Sequence, residues 1–341
     1  MRRDLLVVAA AVCVSVIGAL GANAAEQAGE GKAPAYKISG PYTHGNLSIY
    51  LIHGVDRLKG KKFVTLQEAL EKKIGVVDET GDVNNLTVEN VSGDVYIYIH
   101  SGDIVKGGKQ DRMISQDMVI PPQSGKKPLS AFCVESGRWR ARGSERVGSF
   151  SQSSNMVAGK DLKLAAKLKG DQGEVWKKVS ENQDKLGKSV KGEVRSGQSQ
   201  SSFQLTLENP KVKEAAAEHV KALSAVVDGK DDVLGFAFAI NGKLNSADVY
   251  ASGDLFRKFW PKLLQSSAVE AVAEAQEGKK FDAPRQGDVG KFLAEAKEGK
   301  ATRQKLDEKN TVIKREGKAC ASFDTVVEGE EEPVHGNCIA Y

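Results

Sequence analysis

The stretch LGFAFAINGKLNSADVY (residues 234–250) reads as two β-strands folded back on each other. Residues 234–240 are apolar but for one glycine, Asn241-Gly242 is a favoured two-residue turn, and residues 244–250 return. Directly after this hairpin, Ser252-Gly253-Asp254 opens an amphipathic helix. It carries Leu255, Phe256, Phe259, Trp260, Leu263, Leu264, Ala268 and Ala271 on one stripe. A stripe of that width is the face by which a helix packs onto a core, and it is read so here rather than as a cofactor contact. Pro261 is expected to kink the helix or divide it in two.

Working outward, short β patterns precede the hairpin at 47–52, 86–91, 95–100, 118–120 and 129–134. Thr65-Leu66-Gln67-Glu68 is a capping box for a short helix. Helical patterns occupy 161–169, 172–186, a run from Asn209-Pro210 to about 226, and 289–296. The Ser-, Gly-, Arg- and Gln-rich stretches 140–159 and 196–202 read as exposed loops. Two β-like stretches around the acidic loop 328–332 end the chain. The order implies an α+β fold, with mixed, mostly antiparallel sheets and packed helices rather than a doubly wound sheet.

The first residues carry Arg2 and Arg3, an apolar run over 5–20, and Ala22-Asn23-Ala24, which has the small-x-small form of a cleavage site. A secretory signal peptide over 1–24 is expected, cut near Ala24/Ala25. The run falls short of the ~20 residues that span a bilayer, and Val12 before Cys13 argues against a lipoprotein. The mature chain is therefore expected to be secreted or periplasmic and free of the membrane. A flexible lead-in would cover 25–39, and a single domain 40–341, with 141–160 as the place of any internal subdivision.

The formal net charge of +4 falls to +3 once Arg2, Arg3 and Asp4 are removed. So even a balance argues against a nucleic-acid binder. The lysine-rich stretch 160–191 reads as a solvated helical surface. Of the cysteines beyond the leader, Cys320 and Cys338 flank the terminal β stretches and are expected to form a disulfide, leaving Cys133 odd. The five histidines (His44, His53, His100, His219 and His335) share no ligand spacing on one element, so neither a metal nor a cofactor is expected.

The runs TLQEAL (65–70), VDETGDV (77–83), GDIVKGGKQDR (102–112), CVESGRW (133–139), QGEVW (172–176) and SGDLFRKFWPKLLQSSAVEA (252–271) occur in that order. Together they resemble the bacterial domain family named for its association with ADP-ribosylglycohydrolases and rhodanese-like phosphatases. The resemblance spans about residues 40–340. It implies no established activity; the company named in the family's title points toward ADP-ribose or nucleotide metabolism.

In GDIVKGGKQDR, Gly107-Gly108 allows a backbone concavity, while Lys109, Gln110 and Arg112 offer donors to an anion. Asp111 beside Arg112 offers a carboxylate that could pair with it and mask it from an anion; the bland reading is a tight turn between strands. In CVESGRW, Cys133 is a candidate nucleophile with His100 as base, although a buried thiol is the simpler reading. Arg138 beside Trp139 suits an anionic or aromatic ligand, with a buried Glu135–Arg138 pair as its structural alternative. Tyr98 and His100 lie on one face of their strand. The leading expectation is a non-catalytic module that binds a small anionic ligand or a protein partner where these motifs converge. A hydrolase of phosphorylated or ADP-ribosylated substrates, with Glu135 or Asp111 as base, is the second. A scaffold is the third.

Overall fold

The computed structural model describes residues 36–341 apart from Lys59, so the leader expected over 1–24 lies outside the described residues. The described residues form one compact unit. In chain order the first elements are β1 (Lys37–His44), β2 (Leu47–His53), β3 (Phe63–Thr65), α1 (Leu66–Glu71), β4 (Gly75–Glu79), β5 (Asn85–Asn90) and β6 (Tyr96–Ile99). Then come β7 (Asp103–Gly107), β8 (Arg112–Ile114), β9 (Met118–Ile120), β10 (Lys126–Cys133) and β11 (Phe150–Val157). The helical stretch holds α2 (Lys160–Leu164), continued by a π-helical turn (Ala165–Lys169), then α3 (Gln172–Ser189), α4 (Phe203–Leu207) and α5 (Pro210–Leu223). The hairpin strands β12 (Val233–Ile240) and β13 (Lys243–Tyr250) lead to α6 (Gly253–Ala273) and α7 (Gln286–Glu295). The chain ends in β14 (Ala301–Lys305), β15 (Asn310–Glu316), β16 (Cys320–Val327) and β17 (His335–Ala340).

The strands form three sheets, so the class is α+β. The largest has the order β1-β2-β12-β13-β17-β16-β15-β14 and is antiparallel throughout. A six-stranded sheet runs β11-β7-β8-β10-β5-β4, and a small one β3-β6-β9. Among the described residues no helix is long and apolar enough to cross a membrane.

The β12–β13 hairpin lies near the middle of the large sheet, and every residue of β12 is buried. Alternation explains this. Phe236, Phe238 and Ile240 face the core containing α6, while Ala237 and Ala239 face the cluster containing Val289 and Phe292 of α7. Asn241 and Gly242 both take positive φ, 52° and 74°, as the two-residue turn requires. Gly235 is obligatory for another reason: a Cβ there would lie 2.2 Å from the Asp248 carbonyl oxygen across the hairpin.

Several expectations need correction. Helix α6 runs unbroken through Pro261. Trp260, Leu263 and Leu264 on either side of the proline are buried in the core, and that packing offsets the missing backbone hydrogen bond. Strand β1 starts at Lys37, inside the expected lead-in, and is held there by pairing with β2. The presumed loop 140–159 contains β11, an edge strand held by backbone pairing to β7 despite its serine-rich composition. The lysine-rich stretch is not wholly solvated either, since Lys163 and Lys167 are 6% and 7% exposed.

Phe259 on α6 is fully buried, with ring centroids 5.5, 5.2 and 5.8 Å from Tyr98, His100 and Tyr250. It joins a large-sheet strand to the small sheet. Phe259→Ala is expected to cost about 3–5 kcal/mol in urea unfolding. A loss under about 1 kcal/mol would show that this packing is not what holds the sheets together.

Candidate functional site

The two motifs singled out in the sequence do meet, but they neutralise each other. The Arg138 guanidinium donates from Nε to Glu135 at 2.8 Å and from its Nη atoms to the carbonyls of Gly107 and Gly108, both at 3.2 Å. The Asp111 amide donates to Glu135 at 3.1 Å. Asp111 is gripped in bidentate fashion by Arg142, with both contacts at 2.9 Å, and also accepts from Ser202. Asp111 does not mask Arg112. Arg112 instead donates to the Gln110 carbonyl and lies 3.4 Å from Glu79, while Arg142 also pairs with Glu145.

Asp111, Glu135, Arg112, Arg138 and Arg142 are all buried, so this is a structural clamp around the Gly107-Gly108 turn. Burial pushes the Glu135 carboxyl up, but hydrogen bonds led by that of Arg138 more than reverse the effect, leaving it below the ordinary glutamate range. A carboxylate so held is a poor general base. Lys109 is half-buried and gives its backbone N–H to Glu79, while the Gln110 amide is wholly buried without a hydrogen bond among the described residues. Trp139 stands 56% exposed.

Cys133 is not placed as a nucleophile. It lies opposite Arg112 in the β10–β8 pairing, and burial pushes its thiol up to about 11. The charged groups nearest the thiol are Arg112, Glu79 and Glu135. Cys320 and Cys338 stand as two thiols rather than a disulfide, hydrogen-bonded to each other. The register explains this: Cys320 faces Ala340 and Cys338 faces Ser322, so the pair is diagonal. Diagonal residues stand ~7–8 Å apart at Cα, wider than a disulfide's usual ~4.4–6.8 Å.

Tyr98 and His100 belong to a second cluster at the far end of β7, which the sequence reading did not assemble. His100 follows β6, Asp117 precedes β9, Asp248 lies on β13 and His335 begins β17. Lys167 comes from the π-helical turn, a distortion often found at functional positions. Its ammonium lies 3.1 Å from Asp117 Oδ2 and donates to the Ser101 hydroxyl at 2.8 Å. His335 bridges the two carboxylates, with Nδ1 3.2 Å from Asp117 and Nε2 3.0 Å from Asp248. His100, His335, Asp117 and Asp248 are each at most 2% exposed.

Burial would raise both carboxyl pKa values. Instead Lys167 and His335 hold Asp117 well below its ordinary range, and Lys163 with the two histidines holds Asp248 far below. For His335 burial opposes the charge, yet Asp117 and Asp248 raise its pKa. For His100 burial dominates and lowers it. The signal available in the sequence was a carboxylate, Asp248, on the return strand of the hairpin, where residues 245–248 are buried; its partner Asn337 faces it in the β13–β17 register.

Beside this cluster a cleft of about 530 Å³ is lined by Lys160, Asn182, Lys243, Asn245, Glu270 and Phe281, among others. The Glu270 carboxylate accepts from the Lys160 amide and the Asn245 side chain, both at 3.3 Å. Burial raises its pKa. Behind it lies a chamber of about 10 Å³, the size of a single water, lined by Glu270, Lys163 and Asp248. Glu270 thus stands between the cleft and the histidine–aspartate cluster.

Residues 35–339 match the family model described as the ARG and Rhodanese-Phosphatase-superfamily-associated Protein domain. The chain belongs to that family. No curated protein and no solved structure matches it.

Breaking the clamp is expected to destabilise the fold. Asp111→Asn leaves Arg142 buried without its bidentate partner and should cost about 3–5 kcal/mol in denaturant unfolding; an effect near zero would show the clamp to be incidental. Because the Glu135 pKa is depressed in the folded state, its contribution is complete above the ordinary glutamate pKa. It is lost as pH falls through the lower folded value. In Glu135→Gln that component of the acid-side loss of stability should disappear, which a pH series of unfolding curves measures.

Proposed function

Starting from that membership, we propose that the chain works outside the cytoplasm as a non-catalytic binding module for a small anionic ligand of the nucleotide or sugar-phosphate type. The cleft around Glu270 would be its site. The observation that carries this reading is a carboxylate of raised pKa set among amides in a concave surface of ligand size. Asn182, Asn245 and Glu270 suit hydroxyl groups, and Phe281 offers an apolar face to a ring. Lys160 and Lys243 bring positive charge to the same cleft and form no ion pair among the described residues. The clamp arginines are not available for this role, since Glu135, Asp111 and Glu79 already occupy them.

A hydrolase of phosphorylated or ADP-ribosylated substrates is the second reading, and one observation favours it. Burial raises the Glu270 pKa, the direction in which a glutamate moves toward general acid or base work, whereas that of Glu135 is lowered. The family's name, which records an association with a phosphatase superfamily, is compatible with either reading.

A thermal-shift screen against nucleotides, ADP-ribose and sugar phosphates tests the proposal. A ligand at 100 times its dissociation constant should stabilise the fold by ~2.7 kcal/mol. The shift should vanish in Asn245→Ala and in Lys243→Ala. A hit turned over by the natural protein, with turnover abolished and binding kept in Glu270→Gln, would establish the hydrolase. A flat screen contradicts both readings and leaves a scaffold or protein-partner role.

A further inference from the structure

The histidine–aspartate cluster has the form of a metal site. One ligand atom each from His100, Asp117 and His335 lie within 4.8 Å of one another, and all three residues are buried. Their second partners fix which atoms face inward. His100 Nδ1 lies 2.6 Å from the Ser101 carbonyl oxygen, which can only accept, so Nδ1 carries the hydrogen and Nε2 keeps its lone pair. His100 Nε2, wholly buried, makes no hydrogen bond; the nearby Asp248 oxygen is 3.5 Å away. His335 Nε2 is held by Asp248 at 3.0 Å, which turns Nδ1 toward the same space, where it lies 3.2 Å from Asp117 Oδ1 without hydrogen-bond geometry. Asp117 completes the set with Oδ1, which also accepts from the Ser101 amide at 3.1 Å and the Tyr98 hydroxyl at 3.3 Å, while Oδ2 is taken by Lys167.

We propose that His100 Nε2, His335 Nδ1 and Asp117 Oδ1 bind a divalent transition-metal cation of the zinc type. Asp248 and the Ser101 carbonyl are its outer partners. Two imidazoles and one carboxylate are the donors such a cation prefers, while calcium and magnesium ask for more oxygens than this cluster supplies. A carbonyl or carboxylate behind each ring orients the imidazole, as outer partners of metal-binding histidines do. Asp248 also lines the water-sized chamber behind Glu270, which marks the side facing the cleft.

The test uses the full mature protein, stripped with a chelator and titrated with cobalt(II), then with zinc as competitor. One equivalent of cobalt should bind with the visible absorption of a four- or five-coordinate ion, and zinc should displace it. X-ray absorption of the zinc-loaded protein should show two imidazole ligands. His335→Ala and Asp117→Asn should weaken binding about 100-fold or more, somewhat above the effect typical of an outer partner. His219→Ala should leave binding unchanged; it removes the other close histidine pair, His44–His219, with ring centroids 5.1 Å apart. If the stripped protein takes up no cobalt at millimolar concentration, or if binding is lost in His219→Ala, the proposal is wrong. Should His335→Ala fail to fold, the absorption spectrum of the unaltered protein still decides, because an ion without two imidazole ligands contradicts the site.

Discussion

Two buried carboxylates, Asp117 and Asp248, hold the architecture together. Asp117 precedes a strand of the small sheet, Asp248 lies on the large sheet, and His335 bridges them from a neighbouring large-sheet strand. Lys167 reaches Asp117 from the π-helical turn, so one ionic cluster ties a helix and two sheets. An isolated buried charge costs several kcal/mol, so each of these groups is tolerable only with its partners in place. The aromatic rings of Tyr98, Tyr250 and Phe259 pack against one another around the cluster. The strands that supply the charges are thereby committed to one arrangement.

Much of the local structure was legible because it is decided by nearest neighbours. Asn241-Gly242 determines a turn, Thr65 and Glu68 cap a helix, and the stripe from Leu255 to Ala271 determines which face of α6 is buried. What could not be read was whether a charged side chain points inward. Lys163 and Lys167 sit among many other lysines, and only the fold reveals that carboxylates await them. His335 lies far along the chain from His100 and Asp117, and the β13–β17 pairing that joins it to Asp248 is a long-range event. The strand β11 was missed for a similar reason: its pairing with β7 comes from backbone groups, which composition does not show.

The glycine-rich and cysteine-containing motifs illustrate a different limit. Their residues were correctly grouped, and Arg138 does reach the Gly107-Gly108 turn. The arginines nevertheless find their counterions within the chain, because Asp111 and Glu135 come from the same two motifs and Arg142 and Glu145 lie just beyond. A motif rich in both signs tends to satisfy itself. The cleft at Glu270, by contrast, is assembled from α2, α3, β13 and α6, and no single run of sequence announces it.

Both cluster histidines are buried, and nitrogen-15 NMR of the imidazole rings tests their burial directly. At neutral pH in metal-free protein, His100 should be uncharged with its hydrogen on Nδ1, and on acidification His335 should take up its second proton at a higher pH than His100 does. Two rings that titrate together near the ordinary histidine pKa of about 6.5 would contradict the account. They would place both residues in contact with solvent.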